Sequence, residues 1–223
     1  MSPDARILDL GCGAGDMVRI LRQRGYLAWG SDIEVRKGGD ADLFLPVDPS
    51  TGRIATGDGS FDVVISNQVL EHVMDLPQIF QEIRRILRPG GVSLHVFPSR
   101  WSLLEQHVNV PWGGVFRSRA YLQFWAMLGI RNQFQTGQAS SQVAALNFGY
   151  LMDHTNYPSR RRLRAVIDPH FQNYTFVERD FLARYAGTAG LPRWKYRMIR
   201  GVLILHLEGL YRLFRARAIW LQG

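Results

Sequence analysis

The sequence predicts an α/β protein with a doubly wound, mostly parallel, Rossmann-like sheet and a cap inserted after the fifth strand. Short apolar segments alternate with amphipathic ones over 7–98, which is typical of βαβ units. Glycines follow the first apolar segment, at Gly11, Gly13 and Gly15. With 46% hydrophobic and 12% aromatic residues, the 223-residue chain can bury a sizeable core, so general disorder is excluded.

Local patterns predict the individual elements. Apolar or β-branched runs bounded by turn residues indicate strands, and apolar residues at helical spacing indicate helices. A first helix is expected to be capped by Asp16 and ended by Gly25. Pro89-Gly90-Gly91 is expected to end a helix over 76–88. The other expected elements are strands at 7–10, 27–30, 41–45, 61–66, 92–97 and 174–178, helices at 159–167 and 193–215, and an edge strand at 216–221.

Charge is distributed unevenly along the chain. The formal net charge is +8, from 27 Lys and Arg against 19 Asp and Glu. Residues 1–100 have a net charge of −2 and residues 101–223 a net charge of +10, which suggests different roles for the two parts. Cys12 is the only cysteine, so an intrachain disulfide is excluded and a reducing compartment is expected. Without a secretory signal or an uninterrupted apolar span, the expected location is cytoplasmic.

The glycine loop predicts a cofactor at the carboxyl ends of the strands. A dinucleotide fingerprint would need a third glycine at position 16, which is Asp16 here. An acid at that point would repel a pyrophosphate at the helix N-terminus. The loop therefore favours a cofactor without phosphate that carries a positive charge, and NAD and ATP are poor candidates.

Four ordered motifs resemble those of the class I S-adenosylmethionine-dependent methyltransferases. The first is the segment from Leu8 to Asp16, and the second is Ser31-Asp32. The third runs from Asp62 through Ser66 to Val73, and the fourth is Leu87-Arg88-Pro89-Gly90-Gly91. Together they cover less than half of the chain. The resemblance implies a Rossmann-like methyltransferase that uses S-adenosyl-L-methionine and releases S-adenosyl-L-homocysteine.

The resemblance also implies a set of cofactor-binding residues. Asp32 would accept hydrogen bonds from the ribose hydroxyls, and Ile33 would cover the adenine. Asp9 and Asp16 would either orient the loop or face the cofactor's ammonium group, and Asp9 and Asp62 have an alternative role as acceptors for backbone donors at strand ends. The remaining members are the turn residues Gly11, Cys12 and Gly13, the adenine neighbours Asp42 and Leu43, and Asn67 and Gln68 beside the methionine moiety.

Methyl transfer to a hydroxyl benefits from a general base. His72 is the leading candidate because it follows the fourth strand at the edge where ligands bind; a packing role in the turn is the alternative. Glu105 and His107 are further catalytic candidates, with a solvated loop as their alternative. The spacing of these three residues matches no standard metal site, so no metal is predicted.

The domain organisation follows from the same patterns. Residues 1–98 are expected to form the cofactor-binding core, and the long, aromatic-rich segment 99–157 a cap or substrate insertion. Residues 158–223 would complete the first domain with a basic amphipathic helix. This helix favours a small-molecule or lipid-linked, anionic acceptor and a peripheral membrane contact. Nucleic acid is not the expected partner because no nucleic-acid-binding module accompanies the basic residues.

The predicted function is O-methylation of a small molecule, or of a sugar in a glycolipid or polysaccharide precursor, by in-line methyl transfer. Two alternatives stay open at this point. One is an RNA or protein methyltransferase that uses the arginine-rich surface for binding. The other is an inactive cofactor-binding partner subunit. The sequence predicts neither the acceptor nor the oligomeric state.

Overall fold

The computed structural model describes residues 2, 4–34, 40–186, 197, 201 and 216–223. The chain divides into two compact units. The first comprises Met1–Phe97, Ser159–Phe176 and Ala218–Gly223, and the second comprises Pro98–Pro158 and Val177–Arg217. The predicted insertion 99–157 belongs to the second unit, and its role as a cap stays a prediction. The predicted helix 193–215 lies outside the described residues except for Arg197 and Gly201.

The strands alternate with helices along the first part of the chain, as the sequence predicts. The described strands are β1 (Arg6–Leu10), β2 (Leu27–Asp32), β3 (Phe44–Pro46), β4 (Phe61–Asn67), β5 (Leu87–Pro98), β6 (Leu104–Glu105), β7 (Val110–Pro111), β8 (Asn173–Phe176) and β9 (Ala216–Gln222). The described helices are α1 (Asp16–Gln23), α2 (Leu76–Ile86), α3 (Arg119–Met127), α4 (Ser140–Asp153), α5 (Arg160–Ile167) and α6 (Glu178–Ala186).

Seven strands form one sheet in the order β3-β2-β1-β4-β5-β9-β8. The pairs β2/β3, β1/β2, β1/β4 and β4/β5 are parallel. Gly223, directly after β9, exchanges backbone hydrogen bonds with Gly90 and Gly91 near the start of β5, so β9 runs opposite to β5. β8 is antiparallel to β9 and therefore points the same way as β5. The predicted doubly wound, mostly parallel sheet is confirmed.

Helices cover both faces of this sheet because neighbouring side chains of a strand point to opposite sides. Ile7 and Val63 pack with Val18 of α1 on one face. Leu8 and Val64, the next residues along their strands, pack on the other face, where α2 and α5 contribute apolar side chains. The α2 and α5 members of that cluster are Leu76, Phe80, Ile83, Ile86, Leu163 and Ile167.

Several predicted boundaries in the first hundred residues were wrong. The third strand was expected at 41–45, but Ala41–Leu43 form a 3-10 turn and β3 begins at Phe44. Asp16 is the first residue of α1 rather than its cap, because Gly15 takes the cap position in a left-handed conformation. α2 ends at Ile86, before Pro89-Gly90-Gly91, and Leu87 is already extended.

The C-terminal strand was predicted correctly, but its place in the sheet was not. The segment expected as an edge strand at 216–221 is β9, which lies between β5 and β8. The edge strand is β8, at Asn173–Phe176 rather than 174–178. Pairing order depends on contacts between segments distant in sequence, which local patterns do not encode.

The second unit has its own apolar core. The β6/β7 pair is a short antiparallel hairpin, and α3 and α4 pack against it. Buried side chains of the hairpin and these helices form this core: Val108, Val110, Leu122, Ala144 and Leu151. No helix among the residues that the structure describes has the length and hydropathy needed to cross a bilayer.

Candidate cofactor-binding site

The turn after β1 requires glycine at two points. Gly11 has a φ of +69°, and a Cβ at this residue would collide with the side chain of Val69. Gly15 has a φ of +75°, and its Cβ would lie 2.5 Å from the ring of Phe44. An L side chain would be strained at both residues. Glycine at these two positions lets the backbone of the turn lie close to Val69 and Phe44.

Backbone hydrogen bonds join this turn to the end of β2. The N–H groups of Gly11 and Cys12 donate to the carbonyl of Ser31, at 2.7 and 3.1 Å. The N–H of Gly13 donates to Oδ2 of Asp32 at 2.8 Å, and that of Glu34 donates to Oδ1 at 3.3 Å. The Asp32 carboxylate is therefore held in one orientation by backbone donors on both sides.

Asp9 lies in β1 as a buried carboxyl, 7% exposed. Burial, together with the smaller effect of the negative charge of Asp32, raises its pKa from 3.8 to about 6. Desolvation and like charge both disfavour the carboxylate form. A positive charge close to Asp9 and Asp32 would stabilise both carboxylates.

Asp62 accepts a hydrogen bond from a backbone donor at a strand end, which is the alternative role that the sequence suggested for it. Its Oδ2 accepts the backbone N–H of Arg6 at 2.8 Å, and its other oxygen is paired with Arg88. The carboxylate ties the start of β1 to β4 at the opposite end of the strands from the glycine turn.

A cavity of about 470 Å³ opens where β1, β2 and β4 end. Parallel strands bring their carboxyl ends to one edge of the sheet, where ligands of open α/β sheets bind. The side chains and backbone that line it come from these strand ends, the loop after β3 and the start of α2. They are Leu10, Gly11, Ser31, Asp32, Ile33, Val47, Gly52, Ile54, Gln68, Val69, His72, Val73, Met74, Asp75, Gln78 and Ile79.

Five of the predicted site residues line this cavity: Gly11, Asp32, Ile33, Gln68 and His72. Gln68 has a φ of +58°, and its N–H donates to the carbonyl of Val96 at 2.8 Å. The positive φ marks the sharp turn by which the chain leaves β4. The structure brings these residues together although they are up to 61 positions apart in the sequence.

The other predicted cofactor residues do not line the cavity. Gly13 donates its N–H to Asp32, Asp9 interacts with the charge of Asp32, and Asn67 is exposed at the end of β4. Cys12 and Leu43 pack in the smaller core cluster beside α1. Asp42 is exposed in the 3-10 turn, and Asp16 is exposed and paired with Arg19 at 3.1 Å.

The apolar part of the lining was not predicted. Val47 and Ile54 come from the loop after β3, and Ile79 comes from α2. The late start of β3 puts Val47, rather than Asp42 and Leu43, beside the cavity. Ile79 is an apolar residue of α2, and an apolar pattern alone does not distinguish a core position from a cavity wall.

Glu105 and His107 belong to the second unit and form one hydrogen-bonded network with Tyr157. His107 Nδ1 lies 2.6 Å from Glu105 Oε1, and the Tyr157 hydroxyl donates to the same oxygen at 2.5 Å. Glu105 Oε2 accepts the backbone N–H groups of His107 and Val108, each at 2.9 Å. Glu105 is 2% exposed, so the alternative of a solvated loop is wrong for it.

The comparisons with known proteins agree with this architecture. Residues 2–217 match the family model described as "Methyltransferase domain". A malonyl-[acyl-carrier protein] O-methyltransferase of Erwinia pyrifoliae is 29% identical over 153 residues, which are 66% of this chain and 55% of that protein. A ubiquinone biosynthesis O-methyltransferase of Caulobacter sp. is 29% identical over 98 residues, 40% of this chain and 39% of that protein. The chain spans about half the length of the first curated relatives it matches.

Solved structures show the same fold. An S-adenosylmethionine-dependent methyltransferase from Mesorhizobium loti superimposes with a TM-score of 0.54 at 13% identity, covering 98% of this chain and 91% of that one. Phosphoethanolamine N-methyltransferase 2 of Haemonchus contortus gives 0.52 at 15% identity, over 100% of this chain and 49% of that one. With the family match over almost its whole length, the chain belongs to the class I S-adenosylmethionine-dependent methyltransferases.

Proposed function

We propose that the chain transfers the methyl group of S-adenosylmethionine to an oxygen atom of a small molecule, or of a sugar in a glycolipid or polysaccharide precursor. The observation that carries the proposal is the cavity at the ends of β1, β2 and β4, with the Asp32 carboxylate in its wall. A cavity of about 470 Å³ is in the range of sites for ligands of this size.

The residues around the cavity fit this cofactor. Asp32 is oriented by two backbone donors and would accept the two ribose hydroxyls. Ile33 is 76% exposed and can lie against an adenine ring. Gly11 allows close approach of a methionine moiety because it has no side chain. Asp9, which interacts electrostatically with Asp32, adds the negative charge that suits an ammonium or sulfonium group.

S-Adenosylmethionine, when bound, supplies a methyl group on a positively charged sulfur. The protein has to hold the acceptor in line with that methyl and remove the acceptor's proton. His72 is in the cavity wall, where its imidazole can take a proton from a hydroxyl. We assign it the role of general base.

Oxygen as the acceptor atom is compatible with some of the relatives, although they do not identify the acceptor. Two of the relatives reported above are O-methyltransferases, one named for malonyl-[acyl-carrier protein] and the other for ubiquinone biosynthesis. The matches cover only 55% and 39% of these two proteins. The acceptor of this chain is therefore proposed from the residues of its own cavity. A membrane contact through the basic segment 193–215 remains a proposal.

Calorimetric titration of the wild-type chain with S-adenosylmethionine and with S-adenosylhomocysteine tests the assignment. Saturable binding with one site per chain is the expected result. A screen with labelled methyl donor and pools of candidate acceptors then identifies the product. Absence of detectable binding to either cofactor form would refute the proposed function.

Asp9 should couple cofactor binding to pH. With a pKa of about 6 in the free protein and a lower one beside a bound cation, affinity should rise about tenfold between pH 5 and pH 7. Titrations at several pH values, in buffers of different ionisation enthalpy, should show proton release near pH 6. Asp9→Asn should flatten this dependence, whereas Asp62→Asn, which removes a buried carboxylate outside the cavity, should retain it.

Asp9→Asn should also change the stability of the fold, in a direction that the raised pKa determines. A carboxyl whose folded pKa is raised stabilises the fold at low pH, and this contribution is lost as pH rises through about 6. Asp9→Asn should therefore be more stable than the wild type above pH 7, by up to about 3 kcal/mol. Equal urea midpoints for the two proteins at pH 8 would contradict the raised pKa.

His72→Asn should slow turnover by about 100-fold or more, because a general base contributes on this scale. The dissociation constant for S-adenosylmethionine should change by less than about threefold, since the base faces the acceptor. His170→Asn, a substitution after α5 and outside the cavity, is the matched control. If turnover is unaffected by His72→Asn, the base is another residue, and Glu105 and His107 are the remaining candidates.

A further inference from the structure

An arginine-rich helix lies at the edge of the first unit. α5 has arginine at its first three positions, Arg160, Arg161 and Arg162, and again at Arg164, and there is no acidic residue in its first turn. Positive charge is unfavourable at a helix N-terminus, where acids are normally preferred. Segments whose residues oppose the stability of their own helix in this way are typically functional sites.

Two of these arginines line a groove of about 400 Å³ with the end of β8. Arg160 and Arg164 are one helical turn apart and so share one face of α5. The guanidinium carbon of Arg160 lies 4.1 Å from the centre of the Phe176 ring, a cation–π contact that restrains the side chain. Tyr174 and Thr175 complete the lining, and Tyr174 adds a hydroxyl group on the side of β8 that Phe176 also occupies.

An acidic residue is hydrogen-bonded to Tyr174 of the groove lining. Asp168 accepts the Tyr174 hydroxyl at 2.6 Å, and this hydrogen bond is the main reason that the pKa of Tyr174 is raised. The positive charges of Arg164 and Arg160 act on the pKa of Tyr174 in the opposite direction. Arg160 and Arg164 place two guanidinium groups in the lining of the groove.

The groove opens at the same edge of the sheet as the cofactor cavity. β8 points the same way as β5, and Phe176 is the last residue of β8, so the groove lies at the carboxyl ends of the strands. β8 is three strand positions from β4, a separation of about 14 Å at the usual spacing between strands. α5 also packs beside α2, the helix that provides Gln78 and Ile79 to the cavity wall.

We propose that this groove is a binding site for a phosphoryl group. Guanidinium groups offer paired N–H donors that match the oxygens of a phosphate. On the proposed function, the site holds the phosphate of the methyl acceptor at β8, three strand positions from β4 of the cofactor cavity, or about 14 Å across the sheet. The acceptor is then an extended molecule whose phosphate is distant from the methylated oxygen.

Phosphate binding can be measured without knowing the acceptor. Inorganic phosphate and pyrophosphate are titrated into the wild-type chain, with binding followed by calorimetry and by ³¹P line broadening at low ionic strength. Saturable binding that weakens as sodium chloride is added is expected. No saturation by either probe overturns the proposal.

Charge-matched double variants distinguish phosphate binding in the groove from general electrostatic attraction to the helix. Arg160→Gln/Arg164→Gln should weaken phosphate binding about tenfold or more, because two charge-assisted interactions are lost. Arg161→Gln/Arg162→Gln removes the same charge from the same helix outside the groove and should change affinity less than about threefold. Equal losses in both would overturn the site. Arg164→Gln alone, an exposed change, repeats the test if the double variant does not fold.

Two further measurements identify the source of the phosphate and keep this proposal separate from the proposed function. Vesicles of phosphatidylcholine with or without phosphatidic acid are floated with each variant. Arginine-dependent flotation only with phosphatidic acid indicates a lipid phosphate, and phosphate binding without flotation indicates a soluble one. S-Adenosylmethionine affinity should be the same in all variants. If the cofactor does not bind but phosphate does, the proposed function fails and the phosphoryl site remains.

Discussion

Asp32→Ala is expected to weaken S-adenosylmethionine binding by about 100-fold or more. Two hydrogen bonds from ribose hydroxyls to a carboxylate would be lost, each contributing about 1.5–3 kcal/mol. The change also removes the acceptor for the Gly13 N–H, which is bound at 2.8 Å in the wild type. The glycine turn would then lose its orientation in addition to the ligand contacts. Calorimetric titration with S-adenosylmethionine measures the effect directly.

Two comparison variants make this result specific. Asp32→Asn keeps an acceptor oxygen for Gly13 and should lose less affinity than Asp32→Ala. Asp42→Ala removes the same charge from an exposed residue outside the cavity, and we expect its affinity to stay within about threefold of the wild type. Equal affinity of Asp32→Ala and the wild type would refute the ribose assignment. A strong loss in Asp42→Ala would instead support the adenine contact that the sequence resemblance implies.

Glu105→Leu is expected to destabilise the second unit by about 3–5 kcal/mol. Glu105 is buried and accepts hydrogen bonds from two backbone N–H groups, the Tyr157 hydroxyl and His107 Nδ1. A leucine would leave these donors buried without an acceptor, and each unsatisfied group costs about 1–3 kcal/mol. A large fall in the urea midpoint, with faster amide exchange at Val108, would show the effect.

Milder substitutions in the same network should have graded effects. Tyr157→Phe removes one donor and should cost about 1 kcal/mol. Burial alone would raise the pKa of Glu105, but its hydrogen bonds with His107 and Tyr157 outweigh burial and lower it. A carboxylate with a lowered pKa stabilises the fold above its usual pKa, and this contribution is lost as the solution is made more acidic. The wild type should therefore lose stability below about pH 4.5, and Glu105→Gln should show less of this loss.

Sequence patterns were sufficient to predict part of the lining of the cofactor cavity. Gly11 and Asp32 are at the ends of strongly apolar strands, and their roles depend on backbone geometry within a few residues. Patterns of apolar side chains and glycines encode such local geometry directly. The turn after β4 was also predicted, because Gln68 and His72 directly follow a strand with a clear start and end.

The loop between β2 and β4 shows where patterns were not sufficient. The predicted third strand was misplaced, and with it the residues Asp42 and Leu43. A strand of only three residues, Phe44–Pro46, has too few side chains to show an alternating pattern, and pairing with β2 determines its register. Val47 and Ile54 therefore reach the cavity in place of the residues that were expected there.

His95 illustrates the same limit for a polar residue in the core. It lies in the alternating pattern of β5, and it is fully buried between Ser66, 2.8 Å from Nδ1, and Ser93, 3.1 Å from Nε2. Burial lowers its pKa to about 3, so the imidazole is neutral at physiological pH. No local signal distinguishes this core histidine from His72 in the cavity wall.

The sequence by itself determined the doubly wound sheet, the glycine turn and the acidic residue at the end of β2, because each depends on side-chain periodicity or on backbone freedom over a few residues. Only the tertiary structure decided the order of β8 and β9, the apolar wall of the cavity and the partners of Glu105. These features join residues that are distant in the sequence, as Glu105 and Tyr157 are. Packing and hydrogen bonding across such distances depend on which surfaces meet in the folded chain, and no short segment contains that information.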